Sequence, residues 1–316
     1  MSGSSEFRLA VGRRTTVALG VVEFELHPVD GDELPSWRPG AHIDVVTGTG
    51  IVRQYSLCGD PGDCTSYRIA VLRQDDGRGG SAWLHERLHE GDRIAVSGPR
   101  NHFPLEAGTR YVFLAGGIGI TPLLTMIRRV AADGADWSLH YGGRTRASMA
   151  YADDLRAIGA SRVRLHPFDE CGLIDLDSAL ADAGPETSVY CCGPEPLIRA
   201  AESMCARRGT RLRTERFSPK EIDSSRSDAP FTVRIASTGA ELVVPAGRSI
   251  VDVLLEADVD VLTSCEEGTC GTCETAVLDG RPDHRDSVLT EEEQAAGDRI
   301  LPCVSRSRTP RLVLDL

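Results

Sequence analysis

Three things are scarce in this sequence. Aromatic residues make up only 5% of its 316 residues, so the core must be built chiefly from Val, Leu, Ile and Ala. There is no basic excess: 35 Lys and Arg stand against 47 Asp and Glu, a formal net charge of -12, which argues against nucleic acid as a partner. Long hydrophobic runs are also missing. The longest uncharged apolar stretch, Tyr111 to Ile127, is shorter than a membrane span usually needs and is broken by Gly116, Gly117, Gly119 and Pro122. The first residues carry neither a basic segment nor an apolar one, so no secretory signal is expected. The expectation is a soluble, cytoplasmic protein with no membrane partner.

Cysteine, by contrast, is plentiful. There are ten, and four fall between Cys265 and Cys303. A disulfide scaffold would be smaller and secreted, so ligand cysteines in a reducing compartment are the better reading. Cys265, Cys270 and Cys273 form C-x4-C-x2-C, with Cys303 as a distant fourth. This is the plant-type 2Fe–2S spacing. Three thiolates on one loop must converge, and Gly268 and Gly271 permit the tight curl this demands. A structural zinc site would pair its cysteines on two short arms instead.

Three segments are legible. Residues 1–103 carry short apolar runs (Thr16–Leu26, Ala41–Thr47, Ile51–Leu57, Tyr67–Leu72, Arg93–Val96) separated by Pro and Gly turns, which predicts an antiparallel β-barrel with one helix at Ser81–Leu88. Residues 104–222 alternate strand-like and helix-like runs, which predicts an α/β domain with a parallel sheet covered on both faces. A linker rich in Ser, Asp and Pro, Ser218–Pro230, leads into a compact α+β segment, so that 223–316 form the linker and the cysteine domain. From Ala229 onward sixteen acidic residues face eight arginines, which would suit docking on a basic partner.

Two glycine turns point to a nucleotide. Gly116-Gly117-Ile118-Gly119-Ile120-Thr121-Pro122 joins the strand Tyr111–Ala115 to a helix, a ready site for a pyrophosphate. Cys192-Gly193-Pro194 ends a second strand in the same way and would place Cys192 beside a nicotinamide. A third turn carries Arg144 and Arg146, which could meet the adenosine end, where a basic residue suits a 2′-phosphate. In the barrel, Arg53-Gln54-Tyr55-Ser56-Leu57 places an arginine fork, a phenol and a hydroxyl on one strand, and Arg78-Gly79-Gly80-Ser81 opens the helix.

In this order, R-Q-Y-S-L, G-R-G-G-S, G-G-I-G-I-T-P, C-G-P and C-x4-C-x2-C…C, the motifs resemble those of the phthalate dioxygenase reductase family over nearly the whole chain. The resemblance implies an FMN-binding β-barrel, an NAD(P)-binding α/β domain and a C-terminal β-grasp-like plant-type ferredoxin domain. It implies FMN held by Arg53, Tyr55, Ser56, Arg78, Gly80 and Ser81, with Phe217 near the flavin ring. It implies nicotinamide contacts at Gly117, Gly119, Thr121, Cys192, Gly193 and Pro194, and a 2Fe–2S cluster on Cys265, Cys270, Cys273 and Cys303. The implied activity is electron transfer from NAD(P)H, through FMN and the cluster, to a Rieske-type oxygenase or a haem-thiolate monooxygenase, by a monomer and with no acid–base dyad. Two alternatives stay open at this point: an FAD-dependent reductase of similar architecture, and a non-catalytic zinc-binding interaction protein.

Overall fold

The computed structural model describes residues 7–31, 33–75, 77–220 and 228–316. The chain divides into two compact units, Met1–Glu215 and Arg216–Leu316. The boundary expected at 222/223 falls outside the described residues.

The first unit opens with six antiparallel strands: β1 (Phe7–Ala18), β2 (Val21–Pro28), β3 (His42–Val46), β4 (Val52–Ser56), β5 (Tyr67–Leu72) and β6 (Arg93–Arg100). Their order is β4-β3-β6-β1-β2-β5. The edges meet just beyond β4, where Leu57 bridges Ile69 and the Cys58 amide donates to the Arg68 carbonyl at 2.9 Å, so the sheet curls towards a barrel. Inward residues from Leu9 to Val96 fill it, including Phe24, Ile43 and Tyr67. The run Thr16–Leu26, expected as one strand, is a hairpin, because Gly20 adopts φ +75° and turns the chain. Helix α1 (Gly80–Arg87) packs beside β5.

The chain then builds a wholly parallel sheet from β7 (Arg110–Gly116), β8 (Asp136–Gly143), β9 (Val163–Pro167), β10 (Thr187–Cys192) and β11 (Arg211–Glu215), in the order β11-β10-β7-β8-β9. Its helices are α2 (Ile120–Ala132), α3 (Ala152–Gly159), α4 (Phe168–Cys171), α5 (Leu176–Ala179) and α6 (Glu195–Arg208). Separate apolar clusters cover the two faces, and one of them also takes in Val21, Cys58 and Ala70 of the barrel, which ties the two layers into one unit. The helix expected over Leu176–Ala183 is a single turn, because Leu180 leaves helical geometry and is fully buried.

In the second unit β12 (Phe231–Ile235) and β13 (Glu241–Val244) form the expected hairpin. Helix α7 (Ile250–Glu256) starts at a Ser249/Asp252 capping box. There follow β14 (Thr275–Asp279), β15 (Pro282–Asp283), α8 (Glu291–Ala296), β16 (Arg299–Ile300), β17 (Arg306–Ser307) and β18 (Arg311–Leu314). The main sheet has the mixed order β13-β12-β18-β14-β16, with β18 parallel to β12.

Phe113 lies at the centre of the parallel sheet, fully buried, with its ring 5.8 Å from that of Tyr190. Replacing it with Ala is expected to cost about 3–5 kcal/mol in the denaturant-induced unfolding of the first unit. A loss below about 1 kcal/mol would mean that this layer is not the core.

Candidate functional site

The cysteine loop is shaped by three left-handed residues, Glu266, Gly268 and Gly271, at φ +57°, +68° and +71°. A Cβ on Gly268 would lie 2.5 Å from Val304 Cγ2 and 3.2 Å from Asp286 Cα, so only glycine lets the loop close onto the 284–289 segment. The Ser287 amide donates to the Gly268 carbonyl at 2.8 Å and pins that closure. Cys265, Cys270, Cys273 and Cys303 are all buried. Backbone amides of Glu267 and Thr272 donate to the sulfurs of Cys265 and Cys270 at 3.3 and 3.4 Å.

The four thiols meet as two pairs. Cys270 donates to Cys265 and holds its thiol below the usual range, and Cys303 donates to Cys273 and lowers it too, while hydrogen bonding to these partners and burial push the donors Cys270 and Cys303 up. Metal binding would displace the protons that these pairs hold. Among the described residues no three His, Cys, Asp or Glu side chains gather as a single ion requires. Two pairs of sulfurs on a loop that turns amides towards them fit a two-iron centre.

At the nucleotide crevice, the turns after β7 and β10 touch through their backbones. A Cβ on Gly119 would lie 2.3 Å from the Cys192 carbonyl oxygen, one on Gly193 would lie 2.8 Å from Gly116 Cα, and one on Gly116 would lie 2.5 Å from Pro194 Cδ. Since β7 and β10 are neighbours whose chains run on to opposite edges, this is the topological switch point where open α/β sheets take ligands. Gly117 differs: it adopts φ +55°, and a Cβ there would meet nothing within 4 Å. Thr121 turns its hydroxyl inward to the Ile118 carbonyl at 3.0 Å. Cys192 is fully buried, and burial pushes its thiol well up, so it remains neutral.

Glu215, paired in register with Cys192 across β10 and β11, stands in the Glu215-Arg216-Phe217 run that resembles the family's domain-closing strand, but the sequence assigned its carboxyl no role. Its Oε2 is buried with no hydrogen-bond partner, and burial raises its carboxyl to about 8. A lone acid ending a strand has no sequence signature; only the fold shows that it is desolvated.

In the barrel, the R-Q-Y-S strand and the glycine turn come together. A Cβ on Gly80 would lie 2.9 Å from Arg53 Cγ, so Arg53 crosses the start of α1, whose first turn holds no acidic residue. A guanidinium laid over a helix N-terminus suits a phosphate. Ser56 is buried with its Oγ unpartnered, while Tyr55 packs against the barrel core. Ser81 is engaged elsewhere, accepting from the Gln74 amide at 3.0 Å, and Arg78 is exposed. Beside Ser56 in register stand His42 and then Arg100, whose guanidinium meets Asp44 at 2.5 Å. Burial holds His42 down to about 3, so it is neutral. This polar strip was also missed, since its members are brought together only by cross-strand pairing. Phe217 belongs to the second unit and is 45% exposed. Arg144 and Arg146 lie at the end of β8, both exposed.

Comparison with known proteins agrees with these sites. Residues 113–203 match the oxidoreductase NAD-binding domain family, and residues 233–308 match the 2Fe-2S iron-sulfur cluster binding domain family. The chain is 44% identical to a vanillate O-demethylase oxidoreductase of Pseudomonas putida, over 96% of this chain and 98% of that one. It is 39% identical to the phthalate dioxygenase reductase of Burkholderia cepacia, over 98% and 97% of the two chains. Its structure matches an intact type IV self-sufficient cytochrome P450 monooxygenase with a TM-score of 0.92 at 42% identity, covering 98% of this chain but 41% of that larger one.

Two outcomes test this geometry. Gly119→Ala must force the turns apart, so the KM for the nicotinamide is expected to rise about tenfold or more while flavin and cluster absorbance persist; an unchanged KM would contradict the close approach. For Glu215 the folded carboxyl titrates above its ordinary 4.5, so its contribution to stability is full below that pH and is lost as pH rises towards about 8. Thermal unfolding across that window should show the decline, and Glu215→Gln should flatten it. An identical slope in the variant would show the carboxyl to be solvated.

Proposed function

As a member of the phthalate dioxygenase reductase family, the chain is an NAD(P)H-dependent oxidoreductase carrying FMN and a 2Fe–2S cluster, and we propose that it delivers electrons to a terminal oxygenase. The observation that carries this reading is the pairwise convergence of Cys265 with Cys270 and of Cys273 with Cys303 in a chain that also builds a nucleotide crevice. When bound, the flavin and the cluster supply the change from two-electron to one-electron transfer. The relatives' names, a phenoxybenzoate dioxygenase subunit and a carnitine monooxygenase reductase subunit, support an oxygenase partner, for which a Rieske type is one proposal, and the likeness to a self-sufficient P450 supports a haem-thiolate monooxygenase as the other.

The protein's own part is positioning. In this proposal Arg53 and the Arg78-Gly79-Gly80-Ser81 turn hold the FMN phosphate, with Arg53 supplying charge and Gly80 supplying the room for it. The unpartnered Ser56 hydroxyl is offered to the ring edge, with Tyr55 on the same strand. The Gly117 amide and the touching turns at Gly119, Gly193 and Pro194 cradle the dinucleotide. Thr121 braces that cradle from within through Ile118 rather than touching phosphate. Cys192, kept neutral, lies at the nicotinamide end, and Arg144 and Arg146 at the adenosine end. Cys265, Cys270, Cys273 and Cys303 ligate the irons. The domains proposed are 1–103 for FMN, 104–222 for the nicotinamide and 223–316 for the cluster.

No helix among the described residues is long and apolar enough to cross a membrane. All ten cysteines are free, which supports a cytoplasmic setting. A monomer is proposed from the family resemblance, a point that sedimentation checks.

The electron order is tested with Cys270→Ser. Ferricyanide, which accepts from the flavin, should still be reduced, and cluster-dependent cytochrome c reduction should collapse. Equal loss of both in protein that keeps its FMN would contradict the scheme.

A further inference from the structure

Against the cysteine loop lies a buried acid that none of the proposed ligand sets uses. Asp286 is 1% exposed and stands in the segment that Gly268 lets the loop close onto. A Cβ on Gly268 would lie 3.4 Å from the Asp286 Cβ, so this side chain starts at the point of closure. Its own oxygen shapes the segment. Oδ1 accepts from the Val288 and Leu289 amides at 3.0 and 2.8 Å, which folds 286–289 into a turn. The turn carries Leu289 into one apolar cluster with Cys273 and Cys303, and presents the Ser287 amide to the Gly268 carbonyl at 2.8 Å. One aspartate thus organises the contact with both the three-cysteine loop and the returning Cys303.

The charge on that aspartate is kept. Burial pushes its carboxyl up, but His284 and the Leu289 and Val288 amides outweigh burial, so the group ends below its ordinary value. Oδ2 faces His284 Nδ1 at 3.8 Å, with both side chains almost wholly buried. Among the described residues no arginine is ion-paired with Asp286; the adjacent Arg285 turns instead to Asp228 at 2.7 Å and to Asp283 at 2.9 Å. The field of Asp286 reaches the cysteine loop: burial raises the carboxyl of Glu274, which follows Cys273, and the charge of Asp286 adds to that rise. A buried charge of this kind is screened far less than one in water. We propose that Asp286 is a positioning residue that also places a fixed negative charge beside the cluster, and that this charge holds the cluster's reduction potential down. Reduction adds an electron, which a neighbouring anion opposes, and net charge is among the quantities that set such potentials. A lower potential makes the reduced cluster a stronger donor to its acceptor. The inference rests on the reading that Cys265, Cys270, Cys273 and Cys303 hold a 2Fe–2S cluster.

The test uses the full-length protein carrying FMN and the cluster, and reads the cluster's midpoint potential by mediated redox titration followed with low-temperature EPR. Asp286→Asn keeps an oxygen for the two amides and removes only the charge. Its midpoint should rise, by about a tenfold change in the one-electron equilibrium, ~59 mV. Asp286→Glu keeps the charge on a longer side chain, and its midpoint should stay near that of wild type. A purely structural aspartate gives the reverse pattern: the isosteric amide leaves the potential alone and the longer acid disturbs it. An unmoved or lowered midpoint in Asp286→Asn of normal iron and sulfide content would overturn the proposal. So would loss of the cluster from Asp286→Asn, since the carboxylate would then serve assembly instead of potential. If wild type reduced with dithionite gives no 2Fe–2S signal, the cluster reading itself fails and the proposal falls with it.

Discussion

Two strand-to-helix turns in the parallel sheet touch backbone to backbone, and glycine alone allows it. With a side chain at Gly119, the Cys192 carbonyl would have to retreat; with one at Gly193, the Gly116 backbone would. The nucleotide site follows from that contact. It brings the ends of β7 and β10 together at the point where the sheet order reverses, and the pairing of β10 with β11 sets Cys192 and Glu215 in register there. The site is therefore a property of the sheet topology, and its residues contribute shape and desolvation more than acid–base chemistry.

The cysteine loop obeys a related constraint in a different setting. Glycine again lets backbone approach backbone, at Gly268 against the 284–289 segment, but here the outcome is electrostatic. Four buried thiols settle into two proton-sharing pairs, with amides from their own loop directed at the sulfurs. Binding the irons would place positive charge on that loop in exchange for its thiol protons.

Much of this was legible in the sequence because the informative signals were local. The spacing of Cys265, Cys270 and Cys273 lies on one loop, and the glycines that shape the turns sit beside the residues they serve. The α/β alternation likewise announced the parallel sheet, and the Phe231–Ala236 and Glu241–Val244 runs announced a hairpin. What escaped was non-local or energetically subtle. The hairpin within Thr16–Leu26 turned on one glycine inside an apolar run. The single-turn helix α4 is too short for periodicity to mark, and α5, though expected, stops after one turn. The strip of Ser56, His42 and Arg100 joins three strands, and the Arg146–Glu170 pair spans 24 residues. Thr121 and Ser81, expected to point at phosphates, spend their hydroxyls on nearby backbone, which is the usual competition for such side chains.

The central claim is that one chain accepts hydride pairs and hands on single electrons through a two-iron centre. Anaerobic titration of the purified protein with NADH, followed by visible absorption and low-temperature EPR, tests it most directly. The account predicts uptake of about three electrons per chain, two by the flavin and one by the cluster, with a reduced 2Fe–2S signal that needs no other reductant. Uptake that stops at two electrons, with the cluster silent although iron and sulfide are present, would contradict it.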